Sequence, residues 1–428
     1  MAEPGKRILI FYTWDRLWSL GPGKGSPDFY LSLKALTSSF DKVLVVHPAG
    51  SSRMCGELPE GAEDLPFRWP GNGWTVGVPE ILQSDGKAYL FIFRTVLFLV
   101  NWFLRLFNYL AFTLSAYRAG MAVADSFNPA IVAAYGYLAV PAARLAARKL
   151  GVPLVVRLFG VSLGMKGFST VAKIAQFEET LSFKLGAERW VITNDGSGGD
   201  EVASRLGVPA SRVVYLLCGV DRDSISIPYN REAYRRELGL PEDTLVILRV
   251  SRLWRQQRVD RLIRAMPRIL RDGRPVAAVI VGDGPERKQL EILAGNLGVT
   301  AVFTGAIENS GLSRHYRSSD LYAATSDRTN LSHAVLEALC HGLPVVALDT
   351  GRTSTLIRDG VNGRLVGIEE SDRLGQILSE LLSNDGLRHS LSEGAWRTAR
   401  ELIPDLEERV KQEVLAFDLS SFFPQLRR

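Results

Sequence analysis

Short apolar runs with strand composition alternate along this chain with longer stretches whose apolar positions recur every three to four residues, and the alternation occurs twice. In the first half, Arg7 to Tyr12, Lys42 to His47, Ala130 to Tyr135, Pro153 to Leu158, Arg189 to Thr193 and Arg212 to Leu217 read as strands. The second half repeats the pattern in Leu245 to Val250, Val276 to Val281, Ala301 to Thr304, Leu321 to Ala324, Pro344 to Leu348 and Gly363 to Val366. Helices are expected to start near Asp260, Pro285, Leu312 and Ser332. Apolar strands separated by amphipathic helices predict an α/β fold with two parallel sheets covered on both faces. The polar stretch Asp221 to Asp243, with Pro228 and Pro241, reads as a linker with a boundary helix. Residues 1–225 are therefore expected to form one domain and 226–409 a second. Facing sheets of this kind enclose a cleft, and ligands bind outside the carboxyl ends of their strands.

Composition agrees with that size. The chain has 428 residues, 46% hydrophobic and 23% charged, enough for two globular domains of about 200 residues each. Its formal net charge of +5 favours phosphorylated ligands or anionic surfaces but is too small to predict a nucleic-acid groove. Cys55, Cys218 and Cys340 lie far apart in no metal-ligand spacing, which suits reduced thiols in the cytosol. After Lys6 and Arg7 the run Ile8 to Tyr12 is too brief for a signal peptide, so the expected location is cytoplasmic.

One segment departs from the pattern. From Ala88 to Tyr117 the chain is dominated by Leu, Phe, Val and Tyr, with Arg94 and Arg105 as its only charges. Lys87, Arg94, Asn101, Arg105, Asn108 and Ser115 fall on one narrow stripe of a helix and leave the rest of its circumference apolar. Charges interrupt every apolar run before about 18 residues, which disfavours a transmembrane span. Two readings remain open: burial in the first domain, or a peripheral helix in a bilayer interface with its basic stripe toward the headgroups.

Candidate chemistry concentrates near the C-terminal end. Thr329 to Glu337 reads as a loop opening a short helix, which Asn330 can cap, Gly342 can close in a left-handed conformation, and Pro344 follows with a buried strand. Glu337 stands inside this otherwise apolar helix, where a carboxylate needs a partner, and the adjoining helix N-terminus is a ready anion site. Upstream, Val250 to Asp260 puts Arg252, Arg255 and Arg258 at a strand's carboxyl end, where a diphosphate could be clamped. Gly282-Asp283-Gly284-Pro285 is a turn leading into a helix, and Phe303-Thr304-Gly305-Ala306-Ile307 ends another strand. Gly21 to Ser26 is glycine-rich but fits neither a Walker loop nor a dinucleotide fingerprint, and remains a turn whose backbone could approach a phosphate. Trp14, Arg16 and Trp18 follow the first strand as candidates for an acceptor wall, although apolar packing explains the tryptophans equally well.

In this order the pieces resemble glycosyltransferase family 4, closely over Leu245 to Val366 and more loosely over the first domain, where Arg157-Leu158-Phe159-Gly160 and Leu217 to Asp221 look like family landmarks. The resemblance implies a GT-B fold of two facing Rossmann-like domains, with a terminal helix, residues 410–428 included, crossing back to the first. It also implies transfer of a sugar from a nucleotide-sugar donor to a glycan or lipid-linked acceptor, with retention of anomeric configuration and no obligatory metal or cofactor. Carried over by position, Arg252 would bind the donor pyrophosphate and Glu337 the ribose hydroxyls. The backbone at Asn330, Leu331 and Ser332 would approach the sugar and phosphates, with Thr329 and Arg258 nearby, and Gly305 to Ile307 would line the base pocket. Gly23 would close over the diphosphate, and Trp14, Arg16 and Arg157 would face the acceptor.

The chain departs from the family at Gln257, where a second pyrophosphate cation is usual, and at Thr329, where the first of two glutamates is usual. Cys218 and Phe159 replace a common asparagine and a common histidine. Gln257 and Thr329 motivate a rival reading, a non-catalytic nucleotide-binding scaffold of the same fold. A nucleotide-sugar epimerase or a phosphorylase would share the cleft, but the chain has neither a dinucleotide fingerprint nor a lysine-anchored cofactor motif.

Overall fold

The computed structural model describes residues 6–13, 28–49, 58–70, 88–165, 167–226, 229–269 and 275–419. Its first sheet has seven parallel strands: β1 (Arg7–Tyr12), β2 (Lys42–Pro48), β3 (Ala62–Phe67), β4 (Ile131–Tyr135), β5 (Leu154–Leu158), β6 (Arg189–Asn194) and β7 (Val213–Leu217), in the order β3-β2-β1-β4-β5-β6-β7. The second has six: β8 (Leu245–Val250), β9 (Val276–Val281), β10 (Thr300–Gly305), β11 (Leu321–Ala324), β12 (Val345–Asp349) and β13 (Gly363–Gly367), in the order β10-β9-β8-β11-β12-β13. Both are doubly wound and reverse direction beside their first strand, between β1 and β4 and between β8 and β11, which opens a crevice at those carboxyl ends.

Twelve of these strands coincide with apolar runs in the sequence, and β3 does not. Its residues, Ala-Glu-Asp-Leu-Pro-Phe, pair only with β2 at the sheet edge, where charges and a proline are tolerated because one side needs no ladder and little is buried. The central strands carry apolar residues on both faces because both are covered. On one face lie the helices Ala88–Phe127 and Val140–Leu150, and on the other Asp28–Ser39 with the terminal helix Leu406–Leu415.

The terminal helix joins the first sheet by apolar packing and by buried charge. Ala416, Phe417 and Leu419 pack in one core with Ile8, Ile10, Phe29 and Leu33. The Glu413 carboxylate, almost wholly buried, takes Arg157 of β5 at 3.0 Å and Arg409 from its own helix. Burial would push the Glu413 carboxyl up, but the two guanidiniums outweigh it and hold the group below its usual range. Arg157 also donates to Thr193 at 2.8 Å, so it is enclosed by this cluster and does not face an acceptor, contrary to the expectation above.

The helix Ala88–Phe127, 40 residues and about 60 Å long, meets neither reading of its segment in full. Its C-terminal half buries Tyr109, Phe112, Ala116 and Ala124 against the sheet, while Val96, Phe98, Leu99 and Val100 are exposed. At Arg105 the polar stripe also faces opposite to the bilayer expectation. Arg105 turns inward and forms a two-pronged pair with Glu178 (2.8 and 2.5 Å), and Trp102 Nε1 donates to the Ile174 carbonyl at 2.8 Å. Arg105 and Trp102 therefore anchor the helix pair Thr170–Ala175 and Phe177–Leu185, leaving Val96, Phe103 and Leu110 outside. No helix among the described residues is long and apolar enough to cross a membrane.

Removing the shared carboxylate leaves two buried guanidiniums uncompensated. Glu413→Ala is expected to cost about 3–5 kcal/mol, read as an earlier unfolding transition in guanidinium chloride, whereas Glu407→Ala on the exposed side of the helix should stay within about 0.5 kcal/mol.

Candidate functional site

The site grows out of the reversal between β8 and β11. Beyond β8 the backbone continues in register with its neighbour: Ser251 N donates to Val281 O at 3.0 Å and Leu253 N to Asp283 O at 2.9 Å. The facing turn must lie almost on top of this exit. A Cβ on Gly282, which has φ +131°, would stand 1.9 Å from the Ser251 carbonyl oxygen, and one on Gly284 would stand 2.5 Å from that of Leu253. Gly282 in turn donates to Gly305 O at 2.8 Å, fixing the end of β10. The close approach holds Arg252 at the crevice mouth, exposed, with no carboxylate partner among the described residues.

The opposite wall is the loop after β11 and the helix His333–Cys340. Asn330 does not cap this helix. Its buried amide donates to Leu348 O (2.8 Å) and Thr350 Oγ1 (2.9 Å), and its Oδ1 accepts from Ser326 N (3.1 Å), so it ties the loop to β12. Ser332 is the N-cap, with no side-chain cap bond, and Gly342 ends the element in the left-handed conformation at φ +67°. Thr329 Oγ1 donates to Asp195 O at 2.6 Å, which joins the loop to the first domain. Inside the helix, Glu337 accepts from the Tyr316 hydroxyl at 2.7 Å and pairs with His333 Nδ1 at 3.3 Å. Burial alone would raise the Glu337 pKa, but the His333 charge and the bonds from His333 and Tyr316 prevail and hold it below the usual carboxylate range. Tyr316 is itself stacked on His341, 4.9 Å between centroids, so the carboxylate's support is rigid.

Arg252 and Glu337 line one cleft of about 460 Å³, with Ser251, Ile307, Ser332 and His333 on its walls. The Ser251 hydroxyl is shielded there and lacks a partner among the described residues. Arg252 also borders a second cavity of about 340 Å³, which lies between the domains and is lined by Gly160, Asp195, Arg249, Arg328 and the loop Thr329 to Ser332. A Cβ on Gly160, at φ +136°, would stand 2.2 Å from an Asp195 carboxylate oxygen. Burial raises the Asp195 pKa by more than its Ser197 hydrogen bonds lower it. The two cavities flank a guanidinium and open on a helix N-terminus, an arrangement suited to an elongated anion with polar groups at both ends.

Not every expected residue is brought here. Arg258, in the left-handed conformation at φ +49°, pairs with Asp260 (3.0 Å) and Asp327 (3.2 Å) and borders a separate surface hollow together with Arg255. Gly305 shapes the turn while Ala306 and Ile307 supply the wall. Gly23, Trp14 and Arg16 lie outside the described residues. Sequence reasoning missed Arg249, whose buried guanidinium holds the Gln257 side chain at 2.9 Å, and Arg328, which reaches Ser162 across the cleft at 3.2 Å. It also missed Asp195 and Tyr316. A glycine turn after β6 was the only hint for Asp195, and nothing local marks Tyr316, 21 residues from the carboxylate it supports.

Residues 230–398 match the family model for glycosyl transferases, group 1. The match covers the second sheet and its cleft wall. An uncharacterized glycosyltransferase of Methanocaldococcus jannaschii is 30% identical over 256 residues, 58% of this chain and 65% of that one. A GDP-mannose-dependent alpha-(1-6)-phosphatidylinositol monomannoside mannosyltransferase of Mycolicibacterium smegmatis is 31% identical over 222 residues, 48% of this chain and 58% of that one. The chain thus spans between half and two thirds of the length of these relatives. Among solved structures, Anabaena HepE in complex with UDP superposes with a TM-score of 0.68 at 18% identity, covering 97% of this chain and 100% of that one. WaaG, a glycosyltransferase involved in lipopolysaccharide biosynthesis, gives 0.67 at 18%, covering 95% and 98%. The fold is GT-B.

Two outcomes test this geometry. Gly282→Ala should displace the Ser251 to Leu253 backbone and lower the melting temperature, measured by differential scanning fluorimetry. The stabilisation from ionised Glu337 is complete above the unfolded carboxyl value of about 4.3 and is lost only as pH falls through its lower folded pKa. Tyr316→Phe, which removes one bond to the ionised form, should move that acid loss to higher pH in carboxyl-detected NMR titrations.

Proposed function

We propose that the protein is a retaining glycosyltransferase that moves a sugar from a nucleotide-diphosphate donor to a glycan, glycolipid or lipid-linked acceptor. The observation that carries this reading is the placement of Arg252 and Glu337 in one cleft, with Arg252 also bordering the cavity between the domains. Glu337, ionised and rigidly held, accepts the two ribose hydroxyls. Ala306 and Ile307 flank the base, and Arg252 pairs with the pyrophosphate beside the N-terminus of the helix His333–Cys340. The sugar then projects toward Asn330, Leu331 and Ser332 in the second cavity.

Breaking the anomeric bond leaves negative charge on the nucleoside diphosphate while positive charge develops on the sugar ring. A fixed guanidinium and unpaired helix N–H groups stabilise the leaving group where that charge appears, without reorganising at the moment of reaction. These contacts supply the leaving-group stabilisation, so the reading requires no obligatory metal. Gln257 replaces a second cation, and Arg328, which borders both the second cavity and the neighbouring space between the domains, provides positive charge from the same loop. The lipid acceptor in the mycobacterial relative's name supports a lipid-borne acceptor here, met at the cytoplasmic face of a membrane.

Arg252→Ala and Glu337→Ala are each expected to lower sugar transfer about 10²- to 10³-fold, as measured by release of nucleoside diphosphate in the presence of acceptor. Equal rates for both variants and the native protein would remove the assignment and leave a nucleotide-binding scaffold. Proton NMR of the product distinguishes retention, the expected outcome, from inversion.

A further inference from the structure

The outer face of the helix Ala88–Phe127 remains unaccounted for by the cleft. Val96, Leu99, Phe103, Phe107, Leu110 and Leu114 recur every three to four residues along about 27 Å, and Phe103 is 62% exposed. Phe98 is exposed as well, one heptad before Arg105, on the side that the helices Thr170–Ala175 and Phe177–Leu185 cover further along. The patch continues onto the neighbouring helix through Val171, 73% exposed, and Ile174, whose carbonyl receives the Trp102 indole.

Charge distinguishes the kind of medium. Between Ala88 and Ala124 the sequence holds three arginines, Arg94, Arg105 and Arg118, and no carboxylate. Arg118 is exposed one turn beyond Leu114 on the same side, and Lys173 stands between Val171 and Ile174. Arg105 is taken up by Glu178 on the inner side, but an apolar outer face edged by Arg118 and Lys173 matches the boundary between acyl chains and anionic headgroups. Along the chain the patch also leads to the cleft. The helix Thr170–Ala175 follows directly on the segment containing Gly160, Ser162 and Met165, which lines the cavity beside Arg252, and Gly164 and Phe168, which line the adjoining space of about 530 Å³ between the domains.

We infer that this face docks on an anionic bilayer, with Val96, Leu99, Phe103, Leu110 and Leu114 lying in the interface and the cavity-lining residues Ser162, Gly164, Met165 and Phe168 turned toward lipid-borne acceptors. The inference rests on the transfer reading for its purpose, but the surface itself can be tested apart from it. The native protein is expected to float with vesicles of phosphatidylcholine containing phosphatidylglycerol and to float less with phosphatidylcholine alone. A double variant, Phe103→Glu with Leu110→Glu, alters only exposed positions and should lower vesicle partitioning by about 100-fold. Its thermal shift with UDP and GDP should equal that of the native protein, which separates loss of docking from loss of the nucleotide site. Absence of flotation with either vesicle, or equal flotation of the double variant, would overturn the inference. So would a lipid-free dimer, seen by light scattering, that the same two substitutions dissociate.

Discussion

The contact of the Gly282 to Gly284 turn with the exit of β8 is the constraint on which the site depends. Two backbones meet there with no room for a Cβ, so the main chain at Ser251 to Leu253 is held from behind and Arg252 projects forward. The same turn binds the end of β10 through Gly282 and Gly305, so the Ala306–Ile307 wall and the guanidinium share one rigid support. A cation held by backbone packing keeps its position without a carboxylate partner, and its charge stays available to a ligand.

The first domain meets this support through polar bridges. Thr329 reaches the Asp195 carbonyl, Arg328 reaches Ser162, and Arg352 pairs with Asp200 at 2.7 Å and Glu201 at 3.0 Å. Such bonds are individually weak where water has access, and they can exchange as a ligand enters between the domains. The terminal helix behaves differently. Its Glu413 is enclosed between Arg157 and Arg409 inside an apolar core, and parting those charges is expensive. Firm attachment at the back and polar contact at the mouth suit a cleft whose walls can adjust to a ligand.

Much of this was legible from local pattern. Strands buried on both faces carry continuous apolar runs, which is why twelve strands and the starts of the principal helices could be read, and why the charged edge strand β3 could not. Glu337 was conspicuous because a carboxylate amid Leu, Ala and Val is costly without a partner. Arg258, Asn330 and Arg157 were misread for one common reason. A long or polar side chain near a strand end has several directions open to it, and residues distant in sequence decide among them: Asp327 for Arg258, Leu348 and Thr350 for Asn330, Glu413 for Arg157.

The sequence by itself determined two doubly wound sheets, the crevice at their carboxyl ends, and the charged residues able to meet an anion there, because periodicity and burial cost act over a few neighbouring residues. Only the tertiary structure decided which charges face the crevice and which are consumed in the fold. It also turned Arg105 of the helix Ala88–Phe127 inward, onto Glu178 73 residues away, and left Val96, Phe103 and Leu110 outside while Tyr109 and Phe112 entered the core.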